Sequence, residues 1–557
     1  MNDLSKNWPR TSLGQAQAQL TAPGMPFETV EAVIRGVTMR VWKNVPATAA
    51  EVFARAQAHG IAEFLVHQDE RITYDGFARA VRTVAAMLAA RGLRKGDRVA
   101  LVMRNLPEWP VIFMGALLAG AIVVPLNAWW TGTELAYGIL DSGARFVFAD
   151  SERLARLKDL PPSVQEIFVT RGEGATRLED IIGAAAAWRY LPDAPLPDIS
   201  LSPEDDATIF YTSGTSGAPK GALGTHRSLT TNIFAAPFLV ARNALRRGHA
   251  LEQKPRVTLL AVPFFHVIGS LSVLLPNMAG GGKLVLMPKF DVQEALALIE
   301  RERVTITGGV PVVPLSLMAQ SDGHDLSSLE LITFGGAPSP ASLAARVRDT
   351  LGAMPGQGWG MTETSATCTS HSAEEFLHRP GSCGPALPVS SLKIMKDGAE
   401  APPGTVGELW AFGPNIVKGY WNRPDATAET FADGWIRTGD IASLDAEGFC
   451  TIHDRAHDMV IRGGENIYCI EVENILSEHP AIADAALVGL PHPLLGEVPA
   501  ALVHAIAPVS EEDLRAFAGA RLAAFKVPVQ MIIASSPLPR NAGGKLVKRD
   551  LRKVFAT

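Results

Sequence analysis

Hydrophobic and polar positions follow two rhythms along most of this chain. Between Thr73 and Ala149, ARAVRTVAAMLAARG carries apolar residues at helical spacing and stops at Gly92. RVALVM then reads as a buried strand, TELAYGILDSG as a helix and RFVFA as a further strand. The longest apolar run, VIFMGALLAGAIVV between Pro110 and Pro125, reads as a buried helix leading into a buried strand. A membrane-crossing helix needs about 20 apolar residues, more than this run supplies. The alternation returns from Gly282 to Gly352. KLVLM is a strand, Asp291 and Glu294 mark the start of a helix over ALALIERER, VTITGG and LELITFGG are strands, and PASLAARVRDTLG is a helix ending on Gly352. Strands alternating with helices predict an α/β architecture, with parallel sheets flanked by helices. From Gly404 the texture becomes β-rich and turn-punctuated (GTVGELWAFG, GFCTIHDR). After Asp454 it changes again, to a hairpin (MVIRGGENIY), a helix (CIEVENILSEH), two strands (AALVGL, PAALVHA) and a helix (EEDLRAFAGARLAA), which predicts a small α+β domain.

Composition adds constraints rather than a function. With 557 residues the chain exceeds what one hydrophobic core usually supports, so at least two domains are expected. The net charge of −6, from 51 basic and 57 acidic residues, gives no electrostatic footprint for nucleic acid. Cys368, Cys383, Cys450 and Cys469 form no CxxC pair and have no zinc-ligand spacing, which fits a reducing cytoplasm without a structural metal. The polar N-terminal stretch has no apolar core of a secretory signal. Peripheral membrane contact stays open, because enzymes that handle fatty acids can dock on bilayers.

The strongest chemical signal is Tyr211-Thr212-Ser213-Gly214-Thr215-Ser216-Gly217-Ala218-Pro219-Lys220-Gly221, which follows the strand-like ATIFY. Glycines allow positive φ and close backbone approach, while hydroxyls and a lysine can bond phosphate oxygens. It is not a Walker A loop, since Pro219 stands where that motif has glycine. The loop resembles the phosphate-binding signature of the adenylate-forming superfamily, which includes acyl-CoA synthetases, adenylation domains of peptide synthetases and firefly-type luciferases. The resemblance runs from about Thr73 to Leu551.

Further segments match in order, and their roles are those the resemblance implies. Gly335-Gly336-Ala337-Pro338 lines the adenine and acyl pockets. In Gln357-Gly358-Trp359-Gly360-Met361-Thr362-Glu363, Trp359 offers a stacking face for adenine, and Thr362 bonds the α-phosphate. Glu363, with Thr215, holds Mg²⁺ through hard oxygen atoms. Asp440, in Trp435-Ile-Arg-Thr-Gly-Asp440, binds the ribose diol through its two carboxylate oxygens, and Arg455 contacts ribose and phosphate. Lys545 is the catalytic cation that offsets the charge gathered when a carboxylate meets the α-phosphate. Gly463 and Gly464 line the pantetheine tunnel for coenzyme A, with Phe525 and Lys526 near its nucleotide. The implied organisation is a large domain over 1–454, a hinge at 455–458 with His457 in the pivot position, and a mobile small domain over 459–557.

The resemblance implies a ligase that makes an acyl-adenylate from ATP and then an acyl-CoA. His266, in Pro263-Phe-Phe-His266, corresponds to a histidine beside the acyl carboxylate. Ile268, Ser272, Val310, Phe334, Gly335 and Met361 correspond to the acyl lining. That lining is apolar and shows no cation for a second carboxylate, so a hydrophobic fatty or aryl acid is expected. Homodimerisation is expected from the resemblance alone. The alternative is a stand-alone adenylation enzyme loading a carrier protein; no carrier domain with its phosphopantetheine serine is read before Thr557, so coenzyme A is the expected acceptor.

Overall fold

Period-two patterning places Val99 and Leu101 on one face of the strand Arg98–Val102, and Ala100 and Val102 on the other. Both faces are therefore apolar, as strands buried between two helical layers require. The strand belongs to an eight-stranded sheet. Its order across is Gly419–Tyr420, Lys220–Thr225, Asp206–Thr212, Ile122–Pro125, Arg98–Val102, Phe146–Asp150, Glu166–Thr170 and Thr176–Arg177. Neighbours from Asp206–Thr212 to Thr176–Arg177 run parallel, while Lys220–Thr225 returns antiparallel against Asp206–Thr212. The computed structural model describes residues 8–158, 160–212, 219–249, 256–335, 341–456, 458–463, 465–540, 546 and 548–555.

A second eight-stranded sheet is ordered Ala366–Ser372, Met354–Met361, Leu331–Phe334, Ile306–Gly309, Val257–Leu260, Lys283–Leu286, Glu63–His67 and Glu70–Thr73. Its strands from Met354–Met361 to Glu63–His67 are parallel. The largest apolar cluster joins Val99 and Leu101 of the first sheet to Leu260 and Leu284 of the second through the helices Tyr74–Ala90 and Glu108–Leu118. Every residue of Glu108–Leu118 is buried, which confirms the long apolar run as an internal helix leading to the buried strand Ile122–Pro125. No helix among the described residues is long and apolar enough to cross a membrane.

Asp291 caps the helix Val292–Glu302 by accepting the Glu294 N–H, and Gly352 ends the helix Ser342–Leu351 in the left-handed region. The β-rich segment forms a seven-stranded sheet that includes Gly407–Phe412, Trp435–Leu444 and Phe449–Arg455. Beyond it, the hairpin Val460–Arg462/Glu465–Ile467 joins Gly496–Ala505, Ile482–His492 and Gln530–Ala534 in a five-stranded sheet with its own apolar core.

Candidate active site

In a parallel sheet, ligands gather beyond the carboxyl ends of the strands. The second sheet follows this rule: Val262, Gly309 and Gly335, at or just past three of its strand ends, border a cleft of about 2390 Å³. The hairpin Asp206–Thr212/Lys220–Thr225 supplies Thr212 and Lys220 as register partners on the cleft wall. The loop residues Ser213, Gly214, Thr215, Ser216 and Gly217 lie outside the described residues, as do Gly336, Ala337, Pro338, His457, Gly464 and Lys545.

Met354–Met361 pairs tightly with Ala366–Ser372, and a register shift falls between Trp359 and Gly360. A Cβ at Gly360 would sit 1.5 Å from the Ala366 carbonyl oxygen, and one at Gly358 would sit 2.7 Å from that of Thr369. The two glycines flanking Trp359 are thus fixed by close backbone approach. The strand ends in the 3₁₀ turn Thr362–Thr364, and the chain reverses through Ser365 and Ala366 at φ 48° and 87°. Positive φ is costly for non-glycine residues and persists only where the surroundings hold it. Asn232 does so by donating to the Ser365 carbonyl (2.6 Å) and accepting from the Thr367 N–H (3.2 Å). Asn415 donates to the Thr364 carbonyl (2.9 Å).

This turn presents Glu363, a residue only 6% exposed. Tyr420 donates its hydroxyl to Glu363 Oε1 (2.7 Å), and Lys220 Nζ stands 5.1 Å from the Tyr420 ring centre. Burial, reinforced by the Glu363 charge, pushes the Tyr420 phenol up, so it stays a donor. The second Glu363 oxygen accepts no hydrogen bond from the described residues, which suits a hard cation. Among the described residues no cluster of three carboxylate, histidine or cysteine ligands exists. Mg²⁺ is commonly held by one or two carboxylates together with substrate phosphates, and Glu363 offers one such carboxylate.

Trp359, half-buried on the cleft wall, donates its indole N–H to Asp440 Oδ2 (2.8 Å), and Arg455 pairs with Asp440 Oδ1 (2.6 Å). Asp440 is 2% exposed, with each oxygen engaged by protein, and it does not itself line the cleft. Arg455, Gly439, Met361 and Thr362 do. The two Asp440 oxygens thus orient Trp359 and Arg455, both of which line the cleft.

His266, Ile268, Ser272, Val310, Phe334 and Gly335 all line the same cleft. The His266 ring lies 4.7 Å from that of Phe265, and the π-helix Ile268–Leu274 begins just after it. Beyond that apolar lining the cleft continues to Arg256, at the opposite end of the strand Val257–Leu260. Gly463, Phe525 and Lys526 stand apart from it. Gly463 is held by Leu495, Lys526 pairs with Glu471 (2.7 Å), and the Phe525 carbonyl accepts from Arg462 (2.7 Å). Sequence reading missed Asn232, Asn415 and Tyr420. Asn232 and Asn415 are polar residues at buried positions, but no local pattern marks them.

Residues 52–421 match the family described as AMP-binding enzyme, and residues 471–545 match the C-terminal domain of such enzymes. A feruloyl-CoA synthase from Amycolatopsis is 35% identical over 507 residues, covering 90% of this chain and 97% of that protein. A long-chain-fatty-acid–CoA ligase from Mycobacterium tuberculosis is 34% identical, covering 88% of this chain and 94% of that protein. Among solved structures, an o-succinylbenzoate CoA synthetase from Bacillus subtilis, with ATP and magnesium ion, aligns at TM-score 0.76 with 31% identity, over 90% of this chain and 98% of that one.

Proposed function

The chain belongs to the AMP-binding enzyme family, and on that footing we propose that it is an ATP-dependent acyl-CoA synthetase acting on a hydrophobic carboxylic acid. One observation carries the reading: a single cleft joins the Glu363–Tyr420–Lys220 group and the Trp359–Asp440–Arg455 group to an apolar channel. In the first half-reaction an oxygen of the acid attacks the α-phosphorus of ATP. The bond to pyrophosphate breaks, leaving an acyl-adenylate. In the second, the thiolate of coenzyme A attacks the acyl carbonyl carbon, and AMP leaves with the electron pair of the C–O bond.

Lys220, Thr212 and Thr362 contact phosphate oxygens, Trp359 bears the adenine, and Arg455 reaches ribose and phosphate. The loop residues Ser213, Gly214, Thr215, Ser216 and Gly217 complete the phosphate cradle, and Gly336, Ala337 and Pro338 border the adenine. Mg²⁺, held by Glu363 with Thr215, supplies charge neutralisation on the phosphates when bound. His266 stands beside the acyl carboxylate, between the two half-reactions. Lys545 adds the cation for adenylation, whereas Gly463, Gly464, Phe525 and Lys526 serve coenzyme A after the small domain (459–557) turns on the 455–458 junction at His457. The family matches to 52–421 and 471–545 support this division. Four buried free thiols support a cytoplasmic setting.

The test is ATP–pyrophosphate exchange and coenzyme A-dependent AMP release over a panel of fatty and aryl acids. At least one hydrophobic acid should drive both, and exchange with none of them overturns the proposal.

A further inference from the structure

The cleft is longer than a nucleotide and a reacting carboxylate require. It follows three neighbouring parallel strands from Val262, Gly309 and Gly335 back to Arg256, Thr305 and Glu330. Arg256 and Ala261 flank the strand Val257–Leu260, and both line the cleft. Five residue steps at the rise of a parallel strand span about 16 Å. Ala236, Val240 and Ala244, at four-residue spacing, form one stripe of the helix Ala235–Arg247 on the wall. Gly308 and Thr333, register partners, belong to the sheet side. Small side chains on both sides leave room for an extended apolar body.

The far end is different in kind. Arg256 is half-buried there, and among the described residues its guanidinium has no hydrogen-bond or ion-pair partner. Burial holds its pKa below the usual arginine value despite the pull of exposed Glu330. Arg247, on the same wall, is by contrast gripped by Glu374 at 2.6 and 2.9 Å. A partly desolvated guanidinium is stabilised by a planar anion that accepts two parallel N–H bonds.

We propose that Arg256 is the distal anchor of the acid subsite, and that the acid is elongated, with an apolar body and a second carboxylate at its far end. The inference rests on the synthetase reading and deepens it by naming a substrate class. In the complex, one carboxylate reacts beside Gly335 and His266 while the other meets Arg256.

Pyrophosphate exchange with dodecanoate and dodecanedioate, in the intact enzyme and in Arg256→Gln and Arg256→Lys, tests this. The wild type should favour the diacid by about 10-fold or more in kcat/KM, the scale of a charge-assisted hydrogen bond. Arg256→Gln should abolish that preference through a higher KM for the diacid while leaving dodecanoate unchanged, and Arg256→Lys should restore part of it. Equal activity on the two acids in the wild type, or equal losses on both in Arg256→Gln, overturns the anchor and leaves the synthetase reading intact. Exchange with neither these two acids nor any monocarboxylic acid overturns both.

Discussion

At the scale of single residues, the site depends on side chains that orient other side chains. Glu363 matched a family segment, but its placement comes from Tyr420, distant in sequence and brought in by the short strand Gly419–Tyr420, which pairs with Lys220–Thr225. A group that orients a metal-binding carboxylate commonly changes metal affinity 10–100-fold when removed. Tyr420→Phe should therefore raise the Mg²⁺ concentration for half-maximal pyrophosphate exchange by about 10-fold, with the rate at saturating Mg²⁺ little changed. A Mg²⁺ titration of wild type and variant checks this, and superimposable curves would remove Tyr420 from the site. Asp440 teaches the same lesson. Its residue type was legible in the sequence, while its contacts to Trp359 and Arg455 come from the fold.

At the scale of elements, the segment from Met354 to Ser372 shows why a motif can be recognised without its geometry. Gln357-Gly-Trp-Gly-Met reads as chemistry in the sequence. In the fold it is an edge-proximal strand pressed against Ala366–Ser372, with the strained turn at Ser365–Ala366 held from outside by Asn232 and Asn415. Gly360→Ala would push a methyl group into the Ala366 carbonyl oxygen. Overpacking of a tight contact costs about 1–3 kcal/mol, and this one belongs at the upper end. The expected outcome is a lower melting temperature with loss of ATP binding, measured by thermal denaturation with and without ATP. Wild-type stability would show that the two strands can separate freely.

At the scale of the whole molecule, a buried carboxyl links the seven-stranded sheet to the helix that follows it. Asp454 ends the strand Phe449–Arg455, accepts the Cys469 N–H at the start of the helix Cys469–Ser477, and stands near Lys548, itself paired with Glu473 (2.7 Å). Burial pushes its pKa up to about 6, against the pull of Lys548 and two backbone N–H groups. The folded value is raised above the unfolded one of about 3.9. The stabilising contribution is therefore fully present below pH about 4 and is lost as pH rises through about 6. Asn keeps the acceptor and removes the charge, so Asp454→Asn should gain on wild type in melting temperature between these pH values. A pH-independent difference would sink that account. Domain alternation has its own test: Lys545→Ala should abolish adenylate formation yet leave supplied acyl-adenylate plus coenzyme A reacting. Equal loss of both steps would contradict two poses of one small domain.

What the sequence determined by itself was whatever local periodicity and short motifs encode. Strand–helix alternation gave the two layered sheets, the apolar run gave the internal helix, and the motif order gave the family and several residues that line the cleft. Tertiary structure alone decided which distant residues meet: Tyr420 with Glu363, Asn232 with Ser365, Asp440 with Trp359, and Arg256 with the far end of the cleft. The physical reason is that such contacts depend on strand order and register across the sheets. Neither leaves a trace in neighbouring residues, because each side chain meets its partner across gaps of many residues that local spacing does not measure.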